Sequence, residues 1–414
     1  MKNPIRWACA CLLLIFVCSP LLAATTPTYK VEYTVGFDPP KGEATVTIRV
    51  EPGTGRAQRL RLFVDGKRHH SFTGDGKIQQ DGKVLTWRPG KQNAELRYRY
   101  RVDHVRRSGQ YDARMTRSWA VLRIDRLIPS VAVIAPGGGK STAVLKFVLP
   151  PGWTSADVGY RKVRASGGFP INNPGRRFQR PLGWMIAGDI AGRREKVERT
   201  RVAVASPLGE AMRRNDVLAI INIILPEMQS AFGRLPPKLL VVGAGDPMWR
   251  GGRSGPNSMF LHPDRPLISE NGSSTLVHEL SHVISGIQAT AGEDWIAEGM
   301  AEFYAIEMLR RSGLLSEARA KRAFAWKQHH GRKITTLRAN NSSGERTARA
   351  VALVHALDVE IRRRSGERHS IDNVFRSLVD RSDVSTEDLK SATTKLLGGP
   401  SKVLQNAVVG KAAG

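Results

Sequence analysis

His278-Glu279-Leu280-Ser281-His282 sets two imidazoles four residues apart with a carboxylate between them. Apolar residues recur around this string at helical spacing, so the histidines fall on one face, one turn apart, with Cβ atoms about 5 to 6 Å from each other. Two neutral imidazole nitrogens so placed reach one tetrahedral zinc at about 2.0 to 2.1 Å each. Glu279 projects beside that point without binding it, the position of a general base that takes a proton from an attacking water. The other reading of the string is an ordinary helix with two solvated histidines. A catalytic zinc takes three protein ligands and keeps its fourth position open. A third candidate arrives in Trp295-Ile296-Ala297-Glu298-Gly299, which opens thirteen residues after His282. Glu298 lies near the start of a second apolar-periodic helix, after a loop from Ser285 to Asp294 whose Gly286 and Gly292 allow the chain to turn back. Glu302 stands one turn further along the same face, suited to accept a hydrogen bond from the outer nitrogen of a ligand histidine and fix its tautomer. Alone, Glu298 and Glu302 read as a solvated acidic face; after the histidine pair they read as a ligand and its support.

In these residues the chain resembles the gluzincins, and within them the glycyl aminopeptidase family. The resemblance is carried by His278, Glu279, His282 and the Trp-x-x-Glu-Gly of Trp295, Glu298 and Gly299. Ala356 to Gly366 is similar to that family's late helix, and Gly251-Gly252 with Asn257-Ser258 to its Gly-Gly-Leu-Glu-His-x-Asn-Ser edge segment. It implies a thermolysin-like zinc domain behind a β-rich saddle, one zinc per chain held by His278, His282 and Glu298, and a peptide or protein substrate. Two positions depart from the family pattern. Ser254 and Gly255 replace the Glu-His pair, so the carboxylate that would hold a substrate's free amino terminus is missing; Glu302 and Glu270 are the acidic residues to examine in its place. Ala348 falls where an oxyanion-stabilising Tyr is expected, and no Tyr follows Tyr304. Losing one such donor costs about 100- to 1,000-fold in rate, and Arg349, His355 and His262 are the substitutes to test. The PDZ-like strand module of many family members has no counterpart.

The elements that must position these residues follow from hydrophobic period. From Thr28 to about Pro207 strand signals dominate: Ala44, Val46, Ile48 and Val50 alternate with polar residues, as do Leu96, Tyr98, Tyr100 and Val102, and Asp65-Gly66, Asp75-Gly76 and Asp81-Gly82 mark turns. From Leu208 the period becomes helical, with Val217, Ile220, Ile221, Ile224 and Met228 in one stripe that Gly233 and Pro236-Pro237 end. Lys238 to Val242 and Ser258 to Leu261 read as short buried strands; the second, if it edges the cleft, is placed to pair with an extended peptide. Residues 314 to 414 are almost wholly helical and Arg-rich. The expected fold class is therefore α+β, with an antiparallel β-sandwich or saddle at residues 25–207, a thermolysin-like catalytic core at 208–312, and a helical C-terminal part and tail at 313–414. Gly137-Gly138-Gly139-Lys140-Ser141-Thr142 imitates a phosphate loop, but the first required Gly falls at Ile134 and a strand-like run follows, so it reads as a Gly-rich hairpin. Arg250-Gly251-Gly252-Arg253 reads as a loop before a strand.

Composition sets the compartment. Lys2 and Arg6 precede an apolar run from Ala8 to Val17, then Ser19-Pro20 and Leu21-Leu22-Ala23-Ala24, the pattern of a secretory signal peptide over residues 1–24 with cleavage near Ala23 or Ala24. The expected location is periplasmic or secreted. Cys9, Cys11 and Cys18 all lie in that segment, so no disulfide framework is available to the remainder. Sixty-four Lys and Arg oppose 37 Asp and Glu, a net +27 that stays at +25 without Lys2 and Arg6. Such a balance suits a polyanion partner. Export and the lack of a recognisable module exclude nucleic acid and favour an anionic envelope surface, against the alternative of a plain solvated basic surface. The sequence thus reads as an exported zinc metallopeptidase. The competing reading is a catalytically weak, degenerate gluzincin acting as a basic envelope-binding protein, which would have no need of Glu279.

Overall fold

Strand alternation in the first half places one side chain in two against a core. Ala44, Val46, Ile48 and Val50 are all buried, as are Leu96, Tyr98, Tyr100 and Val102, while their neighbours face outward. The computed structural model describes residues 26–405, so the expected signal segment and residues 406–414 lie outside it. Three sheets make up the N-terminal region. The first has the order β14 (Phe169–Ile171), β12 (Lys140–Val148), β1 (Thr28–Asp38), β2 (Glu43–Pro52), β7 (Ala94–Arg101) and β4 (His69–Gly74). The second is β11 (Val131–Ile134), β3 (Arg59–Phe63), β6 (Val84–Arg88) and β5 (Lys77–Asp81); the third is β13 (Ser155–Val158), β15 (Trp184–Gly188), β10 (Trp119–Arg123), β9 (Tyr111–Met115) and β8 (His104–Val105). Pairing is antiparallel except between β1 and β12. A single helical turn, α1 (Ile124–Leu127), follows β10.

The fourth sheet carries the candidate site. Its order is β16 (Ile190–Val197), β17 (Thr200–Pro207), β18 (Lys238–Val242), β20 (Ser258–Leu261) and β19 (Gly252–Gly255), with β17, β18 and β20 parallel. Every residue of β18 is buried. Leu239 and Val241 face a helical core, whereas Leu240 and Val242 join Trp119, Val121, Trp184 and Phe260 in a smaller core against the third sheet. That two-sided burial explains the unbroken apolar run. The helical side is built by α2 (Arg214–Phe232), α3 (Thr275–Ser285), α4 (Trp295–Arg311), α5 (Glu317–His330), α6 (Glu345–Ser365), α7 (Ile371–Arg376) and α8 (Thr386–Leu397). The molecule is thus α+β, with largely antiparallel sheets first and helices after. No helix among the described residues is long and apolar enough to cross a membrane.

Three local readings are corrected. Ser258–Leu261 is not at the edge: it lies between β18 and β19, and the edge strand Gly252–Gly255 begins inside Arg250–Arg253, which reads as a loop, within the segment likened to the family's edge segment. Its two glycines carry little strand propensity, and only pairing with β20 makes the segment extended. The glycines before β12 form a turn between two different sheets and not a hairpin, because β11 and β12 do not pair.

Candidate metal and catalytic site

Helix α3 is held at both ends. The Ser274 hydroxyl accepts from the Val277 amide at its start, and Gly286 closes it in a left-handed cap. Leu276, Val277, Leu280 and Ile284 anchor its apolar face, which turns His278, Glu279 and His282 toward α4 and β19. The loop to α4 is pinned by bridges from Ala289 to Val384 and from Glu293 to Ala339. Trp295 is fully buried at the start of α4. There α4 meets α6 closely enough that a Cβ on Gly299 would stand 2.7 Å from the Ala350 methyl, so only glycine next to Glu298 permits this contact.

The result is a cluster of three donors. His278 Nε2 and His282 Nε2 lie 3.2 Å apart, and Glu298 presents one oxygen 3.4 Å from the first and the other 3.3 Å from the second. Atoms bound to a tetrahedral zinc at about 2.0 to 2.1 Å stand about 3.3 to 3.4 Å from one another, and these separations, one to each Glu298 oxygen, are close to that value. Among the described residues this is the one group of His, Cys, Asp or Glu arranged to hold a metal. Its electrostatics point the same way. Burial works against charge on His278, yet hydrogen bonds with Glu298 and Glu302 outweigh it and push the imidazole up to about 10. Burial likewise opposes charge on Glu298, and the two histidines still hold its carboxyl far below the ordinary range. The carboxylates around the two rings favour positive charge at this point, whether carried by an imidazolium or by a metal ion.

Around them stands a hydrogen-bonded frame. His278 Nδ1 donates to Glu302 Oε2 at 2.9 Å, the bond that in the neutral ring leaves the Nε2 lone pair for a metal. The other Glu302 oxygen accepts from the Ser273 hydroxyl at 2.8 Å and from the buried Lys327 ammonium of α5. Burial opposes charge on Glu302, but the His278 bond and the Lys327 charge bring its carboxyl down to about 2. Glu279 points to the edge strand, where its Oε2 accepts from the Ser254 amide at 2.6 Å. A Cβ on Gly252 would come within 2.5 Å of Thr275 and 2.9 Å of the Glu279 side chain, so this glycine lets α3 approach the strand.

All five sequence-derived site residues, His278, Glu279, His282, Glu298 and Glu302, are thus brought together. The substitutes considered for an oxyanion donor are not. His262 is fully buried and accepts from the Asp264 amide, and His355 stacks on Phe324 and shares with Arg349 a cavity lined by none of the cluster. Ala348 is buried. Glu302 is committed to three partners and Glu270 lines a separate hollow with Arg319, so neither is placed as an amino-terminal anchor. Sequence reasoning missed Ser273, Lys327 and the Ser254 amide; each arrives from a distant element, and no local pattern marks it.

No family model and no curated protein matches the sequence. Solved structures do resemble it. An aminopeptidase N family protein from Idiomarina loihiensis is similar at a TM-score of 0.60 and 14% identity, over 84% of this chain and 69% of that one. An M1 zinc metallopeptidase from Deinococcus radiodurans is similar at 0.58 and 15%, over 92% of both chains. Legionella pneumophila aminopeptidase A, solved in complex with aspartic acid, is similar at 0.53 and 10%, over 92% of this chain and 49% of that one. The chain therefore spans about half of the Legionella protein. At these identities the likeness is one of fold, and the fold is that of M1 zinc aminopeptidases.

Proposed function

We propose that this chain is an exported zinc metallopeptidase that hydrolyses peptide bonds, with His278, His282 and Glu298 as ligands and Glu279 as general base. The observation that carries the reading is the ligand set itself: three donors at tetrahedral spacing with a carboxylate beside them that does not join them. A zinc bound there supplies Lewis acidity, which acidifies water and polarises a carbonyl. The chain's residues do the rest. Ser254 holds Glu279 Oε2 through its amide, leaving Oε1 to take the proton of the attacking water and deliver it to the leaving amine, a role worth about 100- to 10,000-fold. Glu302, braced by Lys327 and Ser273, keeps the proton on His278 Nδ1, so that Nε2 remains a ligand.

The test is metal content against turnover. Purified protein is expected to hold close to one zinc per chain, His282→Ala to lose most of it, and Glu279→Gln to keep zinc and fold while losing at least about 100-fold in peptidase rate. An unchanged rate in Glu279→Gln, or stoichiometric zinc in His282→Ala, refutes the assignment. Ser254 and Ala348 favour a second reading, a catalytically weak envelope-binding protein. Zinc-loaded protein that cleaves nothing in an unbiased peptide library but binds anionic vesicles would establish it.

A further inference from the structure

The edge strand that holds Glu279 has a second neighbour. Ser254 donates its amide to Glu279 at 2.6 Å, and its carbonyl accepts from Arg123 of the third sheet at 3.3 Å. One residue of backbone therefore separates the proposed base from a cavity of about 490 Å³ between the N-terminal sheets and β19, within the size range of ligand sites.

Five arginines and three aspartates line that cavity. The aspartates are engaged: Asp125 by Arg123 at 2.9 and 3.1 Å, Asp112 by His104 at 2.5 Å, and Asp65 by the Lys67 amide at 3.0 Å. Arg126 and Arg253 have no hydrogen-bond or ion-pair partner among the described residues. Trp184 is 1% exposed, lines the cavity, and its Nε1–H has no partner among the described residues. Its ring edge and Arg123 meet at the strand: a Cβ on Gly255 would lie 3.5 Å from Trp184 Cδ1 and 3.7 Å from Arg123 Nη2. Arg126 and Arg253 are solvent-exposed, and guanidiniums that no carboxylate of the chain engages, presented at the cavity, match an anionic oxygen acceptor.

We propose that this cavity is a subsite for an aspartyl or glutamyl side chain of the peptide substrate, with Arg253 and Arg126 as its donors. The inference rests on the peptidase reading, since it seats an acidic residue of the substrate beside the strand that holds the proposed base. A cavity of this sign repels a substrate ammonium, in keeping with Ser254 where an amino-terminal anchor would be acidic.

The test uses full-length, zinc-loaded protein and amidated peptides that differ only in Glu against Gln, or Asp against Asn, with products mapped by mass. The acidic member is expected to be favoured by about 10- to 100-fold in kcat/KM, the range of one charge-assisted hydrogen bond. Arg253→Ala and Arg126→Ala should each move that ratio toward one, and Arg253→Glu should favour a Lys peptide. Equal kcat/KM for Glu and Gln peptides, or an undiminished ratio in Arg253→Ala, overturns the proposal. A binding arm reads the subsite without hydrolysis: zinc-loaded Glu279→Gln should bind the fluorescent acidic peptide more tightly than its neutral isostere, and added Arg253→Ala should remove the difference. Discrimination in binding with no cleavage by the wild type would sink the peptidase reading and leave the subsite standing; cleavage without discrimination would do the reverse. A free carboxy terminus that restores what Gln loses would assign the cavity to the chain end and overturn the side-chain assignment.

Discussion

Replacing Glu302 by Ala separates two roles that one carboxylate performs. Its Oε2 fixes His278 and its Oε1 neutralises Lys327. The side chains of Glu302 and Lys327 are only 14% and 9% exposed, so water compensates little for the loss of either. Removing the carboxylate leaves a buried ammonium unpaired, which costs about 3 to 5 kcal/mol of stability. It also frees the His278 ring, and loss of such an outer hydrogen bond lowers metal affinity by about 10- to 100-fold. The two losses come apart in the double variant Glu302→Ala/Lys327→Met. An apolar replacement for a buried ion pair is often neutral or better, so most of the stability should return, while His278 still lacks its acceptor and zinc affinity should stay low. Chelator competition measures the metal and denaturant unfolding of the zinc-free proteins measures stability. Wild-type zinc affinity in Glu302→Ala, or recovery of affinity together with stability in the double variant, would refute the division of roles.

Glu298→Ala should lose zinc itself, in contrast to Glu279→Gln; equal zinc content in the two by elemental analysis would reverse the ligand and base assignments. Gly252→Ala forces a methyl into Thr275 and Glu279 at 2.5 and 2.9 Å, so it should cost about 1 to 3 kcal/mol as overpacking and lower peptidase rate by displacing the base; a wild-type rate and unfolding midpoint would show that the strand yields freely. With Ser254 in place of an acidic anchor, an amino-acetylated peptide should be cleaved at internal bonds at least as well as its free form. Stepwise amino-terminal trimming abolished by acetylation would contradict this. His69 is 3% exposed, its Nδ1 accepts from the Asp65 amide and its Nε2 faces the Leu127 carbonyl, and burial pulls its pKa below the ordinary 6.5. Below that value the unfolded chain takes up a proton that the folded chain refuses, so stability falls as pH drops. The fall in thermal midpoint from neutral to acidic pH should be smaller in His69→Asn than in the wild type, and parallel curves would contradict the assignment.

The amino-acid sequence by itself determined what depends on spacing within one element. His278 and His282 share a face because four residues make about one helical turn, and Glu298 and Glu302 repeat that arrangement on the next helix. The alternation of Leu96 to Val102 placed those side chains in a core before any partner strand was known, and β18 announced its two-sided burial by an unbroken apolar run. Only the tertiary structure decided which strand lies at the edge, since strand order is set by pairing between distant segments. Gly252–Gly255 carries no strand signal of its own and becomes a strand because β20 and α3 enclose it. For the same reason Lys327 was one basic residue among many until α5 brought it to Glu302, and Arg123, Trp184 and Arg253 acquire a shared cavity only when the third and fourth sheets pack face to face. Chemistry carried on one helical face is legible along the chain; chemistry assembled across sheets depends on contacts more than a hundred residues apart, such as Arg123 to Ser254, for which no local pattern exists.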